Sequence, residues 1–321
     1  MITLTPTTMV NFSYNIAPQQ KKELEDIELT RNKILLQLIS PKEEIRLRWD
    51  ASLERVRETF KLSKLDTTLK DLAKILASDG KKRVGQKEQE ALDYKKANSY
   101  IQENWLINYS SITPQVLAEL YSTIKTVKIE LDYKQTKQML DFIQVNPPEH
   151  PVVQAAIAYV AISDLMPKQA SNPKYPLLTS LIFLYKYGFD FRGMLNMEEF
   201  IANDSAHFAD ILERSRTSGN ISEFLEYFIT ATAIQADKGL RKIQKREFLT
   251  ILPESFYELT KRQTEILSLL DQPGAQVMNK TVQKHFKVSQ ITASRDLSRL
   301  ASLGILFSHG RGRSIYYTRT R

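Results

Sequence analysis

Residues 150–200 read HPVVQAAIAYVAISDLMPKQASNPKYPLLTSLIFLYKYGFDFRGMLNMEEF. His150 precedes Pro151, a residue suited to the first helical position because its missing N–H has no helical partner there. The stretch predicts two helices, His150–Leu165 and Leu177–Tyr187, joined by a loop that holds Pro167 and Pro173. Apolar residues surround most of each helix. A helix that is apolar all round is stable only when buried, so this pair is expected at the centre of the body. Both runs are well short of the roughly 18 apolar residues that span a bilayer.

Outward from this pair, a period near 3.6 continues in both directions. Gln19–Leu38 places Leu24, Ile27, Ile34, Leu35 and Leu38 on one side of a helix. Further helices are read at Lys42–Phe60 and Thr68–Leu76. Gln86–Gln102 is so rich in charge that it reads as a solvated face. Thr113 and Pro114 have the chemistry of an N-cap and a first helical residue, opening a helix with Val116, Leu117, Leu120 and Ile124. Lys134–Ile143, Asn203–Arg214 and Ser222–Lys242 complete the series. Gln244–Glu258 is the candidate connection to a separate C-terminal module.

The 321 residues carry 45 Lys+Arg against 37 Asp+Glu, a net charge of +8, and no cysteine. From Thr260 to the C-terminus there are 11 basic and 3 acidic residues, which accounts for the whole excess; Met1–Leu259 holds 34 of each. The pattern is a neutral body with a basic C-terminal module. Lack of cysteine excludes a disulfide scaffold, a cysteine nucleophile and a thiolate metal site. The four histidines show no metal spacing. The N-terminus, MITLTPTTMVNFSYNI, has neither a basic n-region nor an apolar h-region, so the expected location is cytoplasmic, with no membrane partner.

The C-terminal module has its own grammar. Thr260–Leu270 and Asn279–Phe286 are helical. Lys287, Val288 and Ser289 form a turn, with Ser289 capping a third helix, Gln290–Leu303, that is expected to bury Ile291, Leu297 and Leu300. Strands at Ile305–Ser308 and Ser314–Thr318 flank a His309–Arg313 tip. Gln290, Thr292, Arg295 and Arg299 then face a partner. Glutamine pairs bidentately with adenine and arginine with guanine in the major groove. Ser289 and Thr292 lie at a helix N-terminus, suited to a phosphate, and Arg311 and Arg313 sit beside glycines that allow close approach to the backbone. VSQITASRDLSRLASLGIL followed by GRGRSIYY resembles winged-helix transcription-factor domains. The expected partner is therefore double-stranded DNA, and the alternative is a winged helix used for protein contact alone.

The 150–200 stretch, together with SSITPQVLAELYSTI at Ser110–Ile124 and LYKYGFDFRG at Leu184–Gly193, resembles the core of Fic (Fido) proteins. That family transfers AMP from ATP to a hydroxyl of a target protein and carries a loop of pattern H-P-F-x-D/E-G-N-G-R between two helices. The resemblance implies a mainly α fold, an all-helical Fic-like bundle followed by a small α+β winged helix-turn-helix domain. It divides the chain into an N-terminal helical region at 1–105, a Fic core at 106–245, a linker at 246–258 and the winged helix at 259–321.

The family's chemistry does not carry over. Its loop falls on Met166–Lys174, where Met166 replaces the histidine that takes the hydroxyl proton, a base worth roughly 10²–10⁴ in rate. Ala170 replaces the acid that holds Mg²⁺, Ser171 and Pro173 replace glycines of the phosphate cradle, and Lys174 replaces the first arginine. Only Pro167 and Asn172 match. The family's inhibitory helix aligns best with Thr59–Lys64, Ser63 standing where its glutamate would be. Between Ile124 and Lys134 the chain is too short for the family's substrate-docking hairpin. The resemblance thus implies no catalytic residue, no ATP or Mg²⁺ cofactor, and a DNA-binding regulator or scaffold, with the degenerate groove open to a ligand or protein. A homodimer is expected from both resemblances. The alternative is an adenylyltransferase with altered chemistry.

Overall fold

The computed structural model describes residues 12–77, 85–145, 149–272, 274–310 and 314–319. Its body is helical: α1 (Pro18–Leu35), α2 (Pro41–Leu62), α3 (Leu69–Ala77), α4 (Gln86–Trp105), α5 (Pro114–Ser122), α6 (Tyr133–Val145), α7 (Pro151–Leu165), α8 (Lys174–Lys186), α9 (Met197–Asn203), α10 (Ser205–Ser218) and α11 (Ser222–Lys245). A smaller C-terminal unit comes next, with α12 (Lys261–Ser268), β1 (Val277–Met278), α13 (Asn279–Phe286), α14 (Gln290–Ser302), β2 (Leu306–His309) and β3 (Tyr316–Arg319). No helix among the described residues is long and apolar enough to cross a membrane.

The central pair is α7 and α8. Every residue of α7 from Val152 to Ile162 is buried, as is every residue of α8. His150 starts α7 by accepting from the Val152 amide through Nδ1 at 3.2 Å, which satisfies one of the four amides a helix start leaves unpaired. Burial pulls its imidazole below the ordinary range, while Glu28 at 3.6 Å raises it. Around the pair, α6 and α11 pack on α7, α4 packs on α8, and α1 lies along α11. Thr113 caps α5 and Ser40 caps α2, the latter reciprocally with Glu43.

Three expectations are corrected. The first helix ends at Leu35, and the chain leaves the bundle before Pro41 starts α2, so Leu35 and Leu38 lie exposed rather than in the core. A short helix, α9, intervenes where none was read; Asn196 caps it by accepting from the Glu199 amide. The charged α4 is not a solvated face. It buries Ala91, Asp93, Tyr94, Ala97, Asn98, Ile101 and Trp105, and its polar groups are used inside the protein.

The segment 184–193 turns sharply after α8. Gly188 and Gly193 hold φ of +74° and +81°, with Phe191 and Arg192 also left-handed between them. A Cβ on Gly188 would come within 2.9 Å of the Arg31 guanidinium, which itself donates to the Gly188 and Tyr187 carbonyls. Beneath the turn, Arg55 is fully buried and donates to Asn98, to the Tyr185 hydroxyl and to the Gly193 carbonyl at 2.6 Å. Its charge also acts on the buried Glu198, whose carboxyl burial raises and Arg55 lowers.

In the C-terminal unit a three-stranded antiparallel sheet runs β1-β3-β2, with Val277 opposite Tyr317 and Phe307 opposite Thr318. Its apolar stripe on α14 is Ala293, Leu297 and Leu300, packed with Ile266, Leu267, Val282, Ile305 and Leu306. Asp296 holds α12 to α14 by accepting from Arg262 and Gln263. Ile291 departs from expectation: it is 64% exposed. At 100° per residue it lies about 200° from Ala293, on the opposite side of the helix from the stripe.

The connection to this unit is packed rather than free. Leu249 donates to Asp50, Glu254 pairs with Arg46 and Lys42, and Phe256 rests against Trp49 with ring centroids 4.8 Å apart. The C-terminal end of α4 meets β2 and β3 across a cleft in which Glu103 stands with His309, Thr318 and Arg319. Arg319 is paired with Asp271, so Glu103 gains no cation among the described residues, and burial pushes its carboxyl up to about 7. Its folded pKa lies above the unfolded value near 4.3, so the native state holds more protons between them, and this group makes stability fall as pH rises from about 4.5 to 7. Glu103→Gln should remove that slope, shift the urea midpoint upward at pH 8 and raise the unfolding free energy there by roughly 1–3 kcal/mol. Parallel midpoint–pH curves for the two proteins would refute this.

Candidate functional site

Two places hold the residues singled out by the sequence. The first is the loop between α7 and α8. Met166 leaves α7 in an extended conformation, half-buried against the core. Pro167 leads into a single 3-10 turn, Lys168–Ala170, whose Ala170 is fully buried. Tyr159 ties the loop's far end to α7 by donating to the Pro173 carbonyl at 3.0 Å. Just ahead of α8, Asn172 Oδ1 accepts from the Lys174 amide at 3.1 Å, and α8 begins at Lys174, three residues earlier than its apolar run suggests.

The end of α2 covers this loop. Asn172 Nδ2 donates to the Leu62 carbonyl and to Ser63 Oγ, each at 3.2 Å. Lys174 Nζ donates to Ser63 Oγ at 2.8 Å and pairs with Glu90 of α4, and Ser63 donates to the same Glu90 oxygen at 2.7 Å. The Lys174 side chain is only 3% exposed. Burial pulls its ammonium below the ordinary lysine range, and Glu90 acts in the opposite direction. Four side chains, from the α2 end, α4 and the segment leading into α8, therefore close on one another, and the Asn172 and Lys174 side chains are paired within the chain.

The segment where a hairpin would lie is also tied down. Asp93 Oδ2 accepts from the Lys125 and Thr126 amides at 2.7 and 2.8 Å, and no strand forms between Ile124 and Asp132. The acidic partners Glu90 and Asp93 were missed by sequence reasoning. The signal present was their spacing: three apart, on the side of α4 that also carries Ala91, Tyr94 and Ala97.

The second place is the α13–α14 surface. Lys287, at φ +53°, makes the turn between them, and Ser289 caps α14 by accepting from the Thr292 amide at 3.2 Å. Gln290 and Arg295 are exposed, with Thr292 half-buried beside the cap. The Gln290 carbonyl accepts from Asn279, which braces the two helices. Lys280, Lys284 and Lys287 are exposed at spacings of four and three, one side of α13 and its turn.

Arg299 differs from expectation. It lies one turn along α14 from Arg295, rotated about 40° toward Asp296 and the buried stripe, stacks over Phe256 at 4.8 Å and donates to the Phe256 carbonyl, so it joins the C-terminal unit to the connection instead of facing outward. Its position explains this: Arg299 is one residue before Leu300 of the buried stripe and three after Asp296, which α12 covers. Arg311 and Arg313 lie outside the described residues.

Solved structures resemble the whole arrangement. A Fic family protein from Desulfovibrio desulfuricans G20 superposes with a TM-score of 0.50 at 13% identity, covering 96% of this chain and 97% of that one. The fold is that of Fic proteins. A fragment of Fic-1 from C. elegans gives 0.53 at 14% identity, covering 71% of this chain and 74% of that one, and a single-residue variant of it gives 0.51. At such identities the likeness is one of fold. No family model matches the chain, and no curated protein matches it in sequence.

Proposed function

We propose that this chain is a Fic-fold protein without adenylyl-transfer activity that binds double-stranded DNA through a C-terminal winged helix, acting in the cytoplasm as a transcriptional regulator or DNA-tethered scaffold. The observation that carries the reading is a charge pattern in three dimensions. Arg262 and Arg319 are neutralised by Asp296 and Asp271, and Arg299 is used within the chain. Lys280, Lys284, Lys287 and Arg295 remain exposed on α13, its turn and α14, where the sequence reading places the groove-facing helix. Cations on one surface release counterions from DNA, whereas a neutral body does not.

α14 presents Gln290, Ile291, Ser294 and Arg295 outward. Arginine reads guanine, glutamine reads adenine, and the exposed Ile291 offers an apolar contact for a thymine methyl. Lysines of α13 and Ser289 at the α14 cap would hold phosphates. Arg295→Ala is expected to weaken binding to a selected site by about 1–3 kcal/mol while leaving non-specific binding nearly unchanged. Selection from genomic fragments, then titration of wild type and variant on the chosen site, tests this. An unchanged preference would remove Arg295 as a base reader. A homodimer would place two such surfaces on two half-sites, readable from sedimentation and from symmetry in the selected sequence.

Loss of the transfer reaction is supported by what stands in the loop. Met166 offers a thioether where proton abstraction needs a base, and Ala170 has no oxygen for a metal. Lys174 is held by Glu90 and Ser63 rather than open to a phosphate. Incubation with labelled ATP and Mg²⁺ should leave the protein and candidate targets unlabelled. Labelling that disappears on changing Asn172 or Lys174 would overturn this part of the reading.

A further inference from the structure

A cavity of about 390 Å³ opens between α5, the 124–132 segment and the first turn of α6, apart from the covered loop. Ala118, Ile124, Ile129 and Leu131 supply apolar walls. Tyr121 forms part of the lining, but its hydroxyl is used elsewhere, donating to the Tyr175 carbonyl and bonded to Thr179. Thr136 is different. It lines the cavity, is 1% exposed, and its Oγ1 has no hydrogen-bond partner among the described residues. An unpaired buried hydroxyl is costly, so its retention at an apolar wall calls for a partner that arrives from outside.

We propose that this cavity binds a small, uncharged, mostly apolar molecule bearing one hydroxyl or carbonyl oxygen, seated so that this oxygen pairs with Thr136 Oγ1. The volume lies within the range of small-molecule sites, which are typically apolar with few fixed polar groups. Charge does not belong to the recognition. Lys128 and Glu130 among the lining residues are exposed and paired with each other at 2.8 Å, leaving no net charge to meet an ion. A charged ligand would lose hydration without compensation.

Binding of 2-naphthol, naphthalene and 2-naphthoate to the full chain, measured by calorimetry, tests the proposal. The expected order is 2-naphthol tightest, about tenfold over naphthalene for one hydrogen bond to an otherwise unpaired group, with the charged 2-naphthoate weaker than 2-naphthol. Thr136→Val keeps the shape and should cost 2-naphthol about that tenfold while leaving naphthalene unchanged. Ala118→Trp, at an exposed position, should fill the cavity and abolish binding of both, with the urea midpoint showing that the fold persists. No binding of any probe to wild type, equal binding of 2-naphthol and naphthalene, tighter binding of 2-naphthoate, or binding retained by Ala118→Trp would each overturn it.

Discussion

Lys174→Met is expected to lose about 3–5 kcal/mol of stability, because it leaves Glu90 with a buried carboxylate and no cation. The side chains of Lys174 and Glu90 are 3% and 17% exposed, and Ser63 is the other described donor to the same Glu90 oxygen. A neutral hydroxyl does not replace an ammonium, so most of the penalty remains. Changing both residues, as Lys174→Met with Glu90→Leu, should recover the larger part of the loss, since paired apolar groups of similar volume avoid the desolvation of both ions. Urea denaturation of the wild type, the two single variants and the double variant gives the coupling energy directly. Additive losses would show that the two groups do not act as a pair. The same substitution removes one of the ties between the α2 end and the loop, while Asn172 continues to donate to Ser63 and to the Leu62 carbonyl.

The second large effect is on DNA affinity. Three exposed lysines, Lys280, Lys284 and Lys287, on the proposed DNA-facing surface imply a slope of about −2.7 for log K against log salt if each meets one phosphate. Raising salt from 50 to 200 mM should then weaken binding by one copy of the chain about 40-fold, with Arg311 and Arg313 adding to this. Replacing the three lysines by glutamine should lower the slope by about 2.7 and weaken binding to every sequence alike. Arg295→Ala should instead change which sequence is preferred. A slope near zero in wild type would contradict the charge argument, since counterion release is the source of the affinity. Full slope with the lysines removed would place the contacts elsewhere on the chain.

Particular elements show how far the sequence reads. His150, Pro151 and the unbroken apolar runs after them made the central pair legible, because a helix with no polar side has only one stable place. Thr113 with Pro114, and Ser289 before Gln290, located two helix starts through cap chemistry that needs no tertiary contact. Ile291 misled because a lone isoleucine next to a cap carries no phase; the stripe of Ala293, Leu297 and Leu300 sets the phase, and Ala293 is a weak apolar signal. The charged α4 misled for a different reason. Its acids are paired with groups up to 84 positions away, and composition sees charge without seeing the partner.

The sequence by itself determined the helical class, the central helices, the concentration of +8 in the last 62 residues, and the presence of Met166 and Ala170, side chains with neither a basic nor an acidic group, in the loop between those helices. Each of these is a property of residue type or local period. Tertiary structure alone decided that Ser63, Glu90, Asn172 and Lys174 meet, that Asp93 ties down the 124–132 segment, that Arg299 turns to Phe256 and away from the α13–α14 surface, and that Thr136 stands unpaired at a cavity wall. Burial and pairing depend on which distant elements pack together. The period of one helix names the side that is buried, but not the side chains it will meet there.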